Sequence, residues 1–268
     1  MKFDGCRTLL TGAGSGIGRC LALALAARGA RLVLVGRDAA RLDHVAGEIS
    51  QRGGTATPLP FDLAVPDGHE RLVADAVACL GGLDLLINNA GVSSFGEFVT
   101  ETPAGLRHLV NTNLTAPLLL THAVLPVMLQ AGSGRIVNIG SILGSIGLPH
   151  FTAYSASKFA LRGFSEALRR ELADTSIGVT YIAPRTTRTA FNSDALYQLS
   201  TAEGNAIDTP ESVVAIIIDT LATDRAETCI GWPEKLFVRI NALLPRLVDR
   251  ALGRQTQAAR RMLRNGKT

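Results

Sequence analysis

The stretch FTAYSASKFALRGF, residues 151–164, carries Tyr154 and Lys158 four positions apart. On a helix that spacing puts both side chains on one face. A tyrosine hydroxyl titrates near ~10, too high to take a proton at neutral pH. A lysine ammonium within about 4–6 Å favours the phenolate and lowers that value. The pair could therefore act as an acid/base at an alcohol or carbonyl oxygen. It could equally be a half-buried aromatic beside a solvated ammonium, and the helix face alone does not decide.

Other residues bear on that choice. Thirteen positions before Tyr154, NIGS ends an apolar run at Ser141. A hydroxyl at the C-terminal end of a buried strand can donate to a substrate oxygen as charge develops there. Near the N-terminus, TGAGSGIGR (Thr11 to Arg19) follows the first apolar run, with Gly12, Gly16 and Gly18 spaced G-x-x-x-G-x-G. Glycines permit the tight turn, let backbone N–H groups approach a pyrophosphate, and open a helix whose N-terminus favours negative charge. A ligand-free glycine turn would have the same composition, but its place after the first strand favours a dinucleotide. The second apolar run ends in LVGRD. Arg37 suits a 2′-phosphate, and Asp38 suits the cap of a helix starting at Ala39. NADP(H) is thus favoured over NAD(H), with a solvated surface arginine as the alternative.

The positioning elements alternate. Residues 7–11, 31–35, 55–61, 83–88, 134–140, 178–183 and 227–231 read as short strands buried on both faces. Helical patterns fill 16–28, 39–52, 67–79, 103–131, 153–174 and 210–222. The expected fold is α/β, a doubly wound parallel sheet of about seven strands with helices on both faces. Residues 1–233 form one catalytic domain, with a mobile loop region over 186–208. Residues 234–268 form a basic amphipathic helical extension.

The chain has 268 residues, 47% of them hydrophobic, ample for one large core. Its apolar runs fall short of the ~18 residues of a membrane span. The glycine loop begins within twelve residues of the N-terminus, leaving no room for a signal peptide, so a cytoplasmic location is expected. Cys6, Cys20, Cys79 and Cys229 are scattered singly and read as buried small hydrophobes in a reducing compartment, with no metal site. Residues 234–268 hold nine basic and two acidic side chains, a local charge of +7, while residues 1–233 carry −3. The net +4 belongs to the tail, and no nucleic-acid partner is inferred.

With these motifs in order, the chain resembles the short-chain dehydrogenase/reductase family, in its compact single-domain branch. FDL (Phe61 to Leu63), NNAG (Asn88 to Gly91), VNTNLTA with Asn113, NIGS and YSASK all follow the glycine loop, over residues 6 to about 232. The resemblance implies a Rossmann-type fold and a tetrad of Asn113, Ser141, Tyr154 and Lys158. Asn113 would hold a water feeding protons toward Lys158, and Lys158 would also hold the nicotinamide ribose. Gly12, Ser15, Gly16, Ile17, Gly18 and Arg37 would bind the cofactor at the glycine loop and second strand. Asp62 and Leu63 would contact adenine, and Asn89, Ala90 and Gly91 would wall the cofactor pocket. Pro184, Thr187 and Thr189 would lie at the nicotinamide. Substrate would meet Ser141, Leu143, Tyr154 and Arg185. The implied partners are a small carbonyl or alcohol and a second subunit, in a homodimer or homotetramer joined through 103–131 and 153–174.

APRTTRT departs from the family's Pro-Gly at Arg185. This cation either lines the substrate pocket and favours anionic substrates, or points to solvent or pairs with a carboxylate. Phe191, Leu196, Tyr197 and Leu199 suggest a hydrophobic substrate, unless they are core. In the tail, Leu236, Ile240, Leu243, Leu244, Leu247 and Val248 follow helical spacing, with Pro245 opening a second helix. That surface could cover the cleft, pack on a subunit, or make peripheral contact with an anionic membrane. The leading expectation is an NADP(H)-dependent carbonyl reductase or alcohol dehydrogenase. A dinucleotide sensor or scaffold of the same fold would not need the tetrad. A sugar-nucleotide epimerase or dehydratase shares the Tyr–Lys pair but would want a larger substrate domain.

Overall fold

Seven apolar segments form one parallel sheet: β1 Arg7–Thr11, β2 Arg31–Gly36, β3 Thr55–Pro60, β4 Leu85–Asn88, β5 Gly134–Ile139, β6 Ile177–Ala183 and β7 Glu227–Cys229. The computed structural model describes residues 1–192, 197 and 206–253. Leu196, Leu199 and the basic residues from Arg254 onward lie outside the described residues. The strand order is β3-β2-β1-β4-β5-β6-β7, with Leu10 opposite both Leu34 and Ile87. The order reverses between β1 and β4, so their C-terminal ends open a crevice there.

Alternation along each strand sends neighbouring side chains to opposite faces. Leu10, Leu32 and Leu34 pack with Leu21 and Leu25 of α1 (Gly16–Ala26), Leu42 of α2 (Ala39–Gln51) and Ile217 of α7 (Pro210–Ala222). Leu9, Val33 and Leu86 pack on the other face with Leu72 of α3 (His69–Leu80), Leu120 of α5 (Ala116–Ala131) and Leu168 of α6 (Thr152–Glu171). Each such leucine contributes roughly 1.5–3 kcal/mol by leaving water. Pro58 and Pro60 are tolerated because β3 is an edge strand.

Three expectations change. The expected single helix 103–131 contains a π-helical turn, Asn111–Thr115, between α4 (Pro103–Val110) and α5. By length and composition this stretch could cross a membrane, with 33% of its apolar window buried. The reading from unbroken runs missed it because its scattered polar residues shorten the runs yet leave the mean apolar. In the fold α5 buries Leu120, Val124 and Met128 against the sheet. Among the cysteines, Cys6 is buried but Cys79 is exposed. In the tail, α8 (Glu234–Leu243) buries none of its residues. The next helix, α9, runs over 245–253 and opens at Pro245, as its spacing predicts.

Candidate active site

At the crevice a cleft of about 560 Å³ runs from Arg37 and Arg41 past the glycine loop to Ser141, Tyr154 and Phe191. The glycine loop is shaped by close approach. Gly12 has φ +66° and a Cβ there would lie 2.8 Å from Asn89 Nδ2, while a Cβ on Gly18 would overlap the Gly12 carbonyl oxygen. Asn89 Nδ2 donates to the Thr11 carbonyl at 2.9 Å, and the Asn89 and Ala90 amides donate to Thr11 Oγ1 at 2.9 and 3.0 Å. Ser15 at the N-cap of α1 makes no side-chain capping bond, so the first amides of α1 face the cleft uncapped, as a phosphate site requires. Ile17 and Gly16 also line this part.

A side recess holds Arg37, Asp38, Arg41, Asp62 and Leu63 together. Asp38 is committed elsewhere, accepting from the Arg41 amide at 3.1 Å as cap of α2 and pairing with the Arg41 side chain. The two exposed guanidinium groups suit a phosphate monoester on a ribose. Arg41 was not singled out by its sequence position. Its place one turn after Arg37, in the first turn of α2, was the available signal.

Tyr154 in the first turn of α6 and Lys158 one turn later are both buried, with Lys158 Nζ 5.7 Å from the Tyr154 ring centre. Burial pushes Tyr154 up to about 12, with a Ser141 side-chain hydrogen bond opposing the rise. Burial draws Lys158 down to about 8. Desolvation leads the rise at Tyr154, and the opposing contribution comes from Ser141 rather than from Lys158. Lys158 Nζ donates to the Ile139 carbonyl at 3.1 Å.

Ser141 follows β5, and its Oγ accepts from the Leu143 amide at 3.1 Å. Tyr181, unmarked in the sequence, fixes it from below: its hydroxyl donates to the Ser141 carbonyl at 3.2 Å and accepts from the Ser141 amide at 3.4 Å. Gly140 is obligatory because a Cβ there would overlap the Tyr181 ring. Asn113 sits in the π-helical turn, fully buried. It brackets Val92, accepting from its amide at 2.8 Å and donating to its carbonyl at 2.9 Å. It also donates to Ser157 Oγ at 3.1 Å, which donates to the Tyr154 carbonyl at 2.7 Å. A Cβ on Gly91 would lie 3.3 Å from Asn113 Oδ1 and 3.7 Å from Lys158 Nζ, so all three converge.

Pro184, Thr187 and Thr189 line the cleft beside Arg185 and Leu143. Thr189 lies against Gly16, 3.1 Å from where a Cβ would sit. Arg185 is paired: Asp208 receives it bidentately at 2.8 and 2.9 Å, and Glu234 accepts at 3.2 Å. Arg185 thus both lines the cleft and pairs with carboxylates. Tyr197 does not line the cleft; its hydroxyl accepts from the Thr189 amide at 2.7 Å and donates to the Thr189 carbonyl at 2.6 Å. Phe191 does line it, 6.1 Å from the Tyr154 ring, with Phe95, Phe151, Leu148 and His150 completing the wall. His150 adopts φ +67°, and its Nε2 is buried without a hydrogen-bond partner among the described residues.

The chain matches the short chain dehydrogenase family model over residues 7–199. It is 34% identical to the ketoacyl reductase HetN of Nostoc sp. over 92% of this chain and 88% of that protein. A metagenomic short-chain oxidoreductase solved with NADP is 33% identical, TM-score 0.73, over 86% of this chain and 98% of the other. A Burkholderia phymatum short-chain dehydrogenase/reductase solved with NAD superposes with TM-score 0.84 at 23% identity, over 92% and 96%, a likeness of fold.

Proposed function

The chain belongs to the short-chain dehydrogenase/reductase family, and on that premise we propose that it is an NADP(H)-dependent reductase of hydrophobic carbonyl compounds. The observation carrying this reading is the convergence of Ser141, Tyr154, Lys158 and Asn113 at one end of a cleft with Arg37 and Arg41 at the other. The glycine loop and the recess at Asp62 and Leu63 fit a dinucleotide between them. A bound nicotinamide would supply the hydride.

The chain's own residues handle the proton. Near pH 7, a tyrosine titrating at about 12 keeps its proton and a lysine titrating at about 8 is mostly charged. Tyr154 is thus poised to donate to a carbonyl oxygen as it becomes an alcohol. Donation leaves a phenolate beside Lys158, and that phenolate must take up a proton before the next turnover. The Ser141 hydroxyl would donate to the same oxygen. Asn113, through Ser157, holds the α6 backbone at Tyr154. Aromatic walls at Phe95, Phe151 and Phe191 suit an apolar substrate body. Leu118 and Leu129 on α5 and Phe159 on α6 stand exposed, apolar surface that a homodimer or homotetramer would cover.

The test is a panel of aliphatic and aromatic ketones with NADPH and NADH in parallel. Consumption of NADPH at least about tenfold faster, lost when Arg37 and Arg41 become alanine, is expected from the phosphate contacts. Tight binding of both cofactors with no turnover of any carbonyl would instead favour a dinucleotide sensor.

A further inference from the structure

Six large apolar side chains that stand exposed cluster in one short segment: Trp232, Leu236, Phe237, Leu243, Leu244 and Leu247. Trp232 is 72% exposed and is the chain's single tryptophan. One flank of α8 is fixed to the domain, Glu234 by Arg185 at 3.2 Å and Asn241 by the Ser145 carbonyl at 2.9 Å. With about 3.6 residues per turn, Leu236, Ile240 and Leu243 lie on the opposite flank, and Lys235 and Arg239 border them. Lys235, Arg239, Arg246 and Arg250 are exposed and make no ion pair among the described residues. Glu234 is committed to Arg185, which leaves Asp249 as the remaining acid of this segment.

We propose that this face docks on an anionic membrane surface. An apolar stripe bordered by cations matches the boundary between acyl chains and headgroups. Tryptophan favours that boundary, and each cation close to an anionic leaflet strengthens binding about fivefold. A second copy of the chain fits poorly, because a self-complementary contact would set the four cations against their own copies. Arg185 lines the cleft and holds the head of α8. The docked face therefore lies beside the substrate end, where a carbonyl dissolved in the bilayer could enter. That consequence rests on the proposed reaction; the docking does not.

The experiment is flotation of the full chain with vesicles of phosphatidylcholine, with and without about 30% phosphatidylserine, near physiological salt. The Trp232 emission is recorded alongside. Expected are co-flotation and a blue shift with the anionic vesicles only. Lys235→Gln with Arg239→Gln should weaken vesicle binding about thirtyfold, and Leu236→Ser should lose the shift, while each variant retains wild-type NADPH binding. Neither flotation nor a shift with anionic vesicles overturns the proposal, as does unchanged binding by the double charge variant. Dissociation of an oligomer by Leu236→Ser, with no vesicle effect, would overturn it in favour of a contact between copies. A captured acidic protein partner with no vesicle effect would likewise overturn it.

Discussion

Arg185→Met separates a paired cation from a substrate-selecting one. The guanidinium is held between Asp208 and Glu234, with the three side chains only 15%, 15% and 18% exposed. The Asp208 hydrogen bond leads in holding the Arg185 pKa above its ordinary value. Asp208 also closes the base of the loop carrying Thr187 and Thr189, donating its amide to Thr186 and accepting from the Arg188 amide. Methionine keeps the stem but leaves two nearly buried carboxylates facing each other. Breaking a buried pair costs about 3–5 kcal/mol, and their residual solvent contact lowers this to roughly 2–3. For a chain of this size, that is a fall in Tm of about 5–10 °C. Adding Asp208→Asn should recover part of the loss. Calorimetry of the single and double variants checks both. An unchanged Tm, or a loss of turnover confined to anionic substrates, would refute the reasoning.

Tyr181→Phe removes both hydrogen bonds to the Ser141 backbone; steady-state kinetics should show kcat down about tenfold with KM for NADPH unchanged. Gly18→Ala forces a Cβ onto the Gly12 carbonyl and should abolish measurable NADPH binding by fluorescence titration, with the fold retained by circular dichroism. Because Lys158 titrates at about 8, its charge is present below that pH and lost above it. NADPH affinity by calorimetric titration should therefore weaken as pH rises through about 8, and Lys158→Met should remove that step.

The strands were legible because a parallel sheet buried on both faces demands unbroken apolar runs such as RLVLV, and β2 ends within one residue of its expected limit. Tyr154 and Lys158 were legible because helical spacing brings them together. The π-helical turn around Asn113 was not, since one extra residue per turn leaves the apolar pattern of α4 and α5 intact. Tyr181 and Ser157 were invisible for another reason. Their roles arise from β6 lying beside β5 and α6 beside the π turn, contacts that no local pattern encodes. Arg185 stood out as a departure, but its partners lie 23 and 49 residues away. In the tail the amphipathic pattern was plain, while which flank the domain holds depended on Asn241 and Glu234.

The central claim is that Tyr154 gives the proton as hydride reaches the carbonyl carbon. Single-turnover oxidation of pre-bound NADPH by a ketone substrate, compared between wild type and Tyr154→Phe, tests it directly. The expected result is a rate at least about a hundredfold lower in the variant with NADPH affinity unchanged, the loss of a general acid. A Tyr154→Phe rate close to wild type would contradict the account.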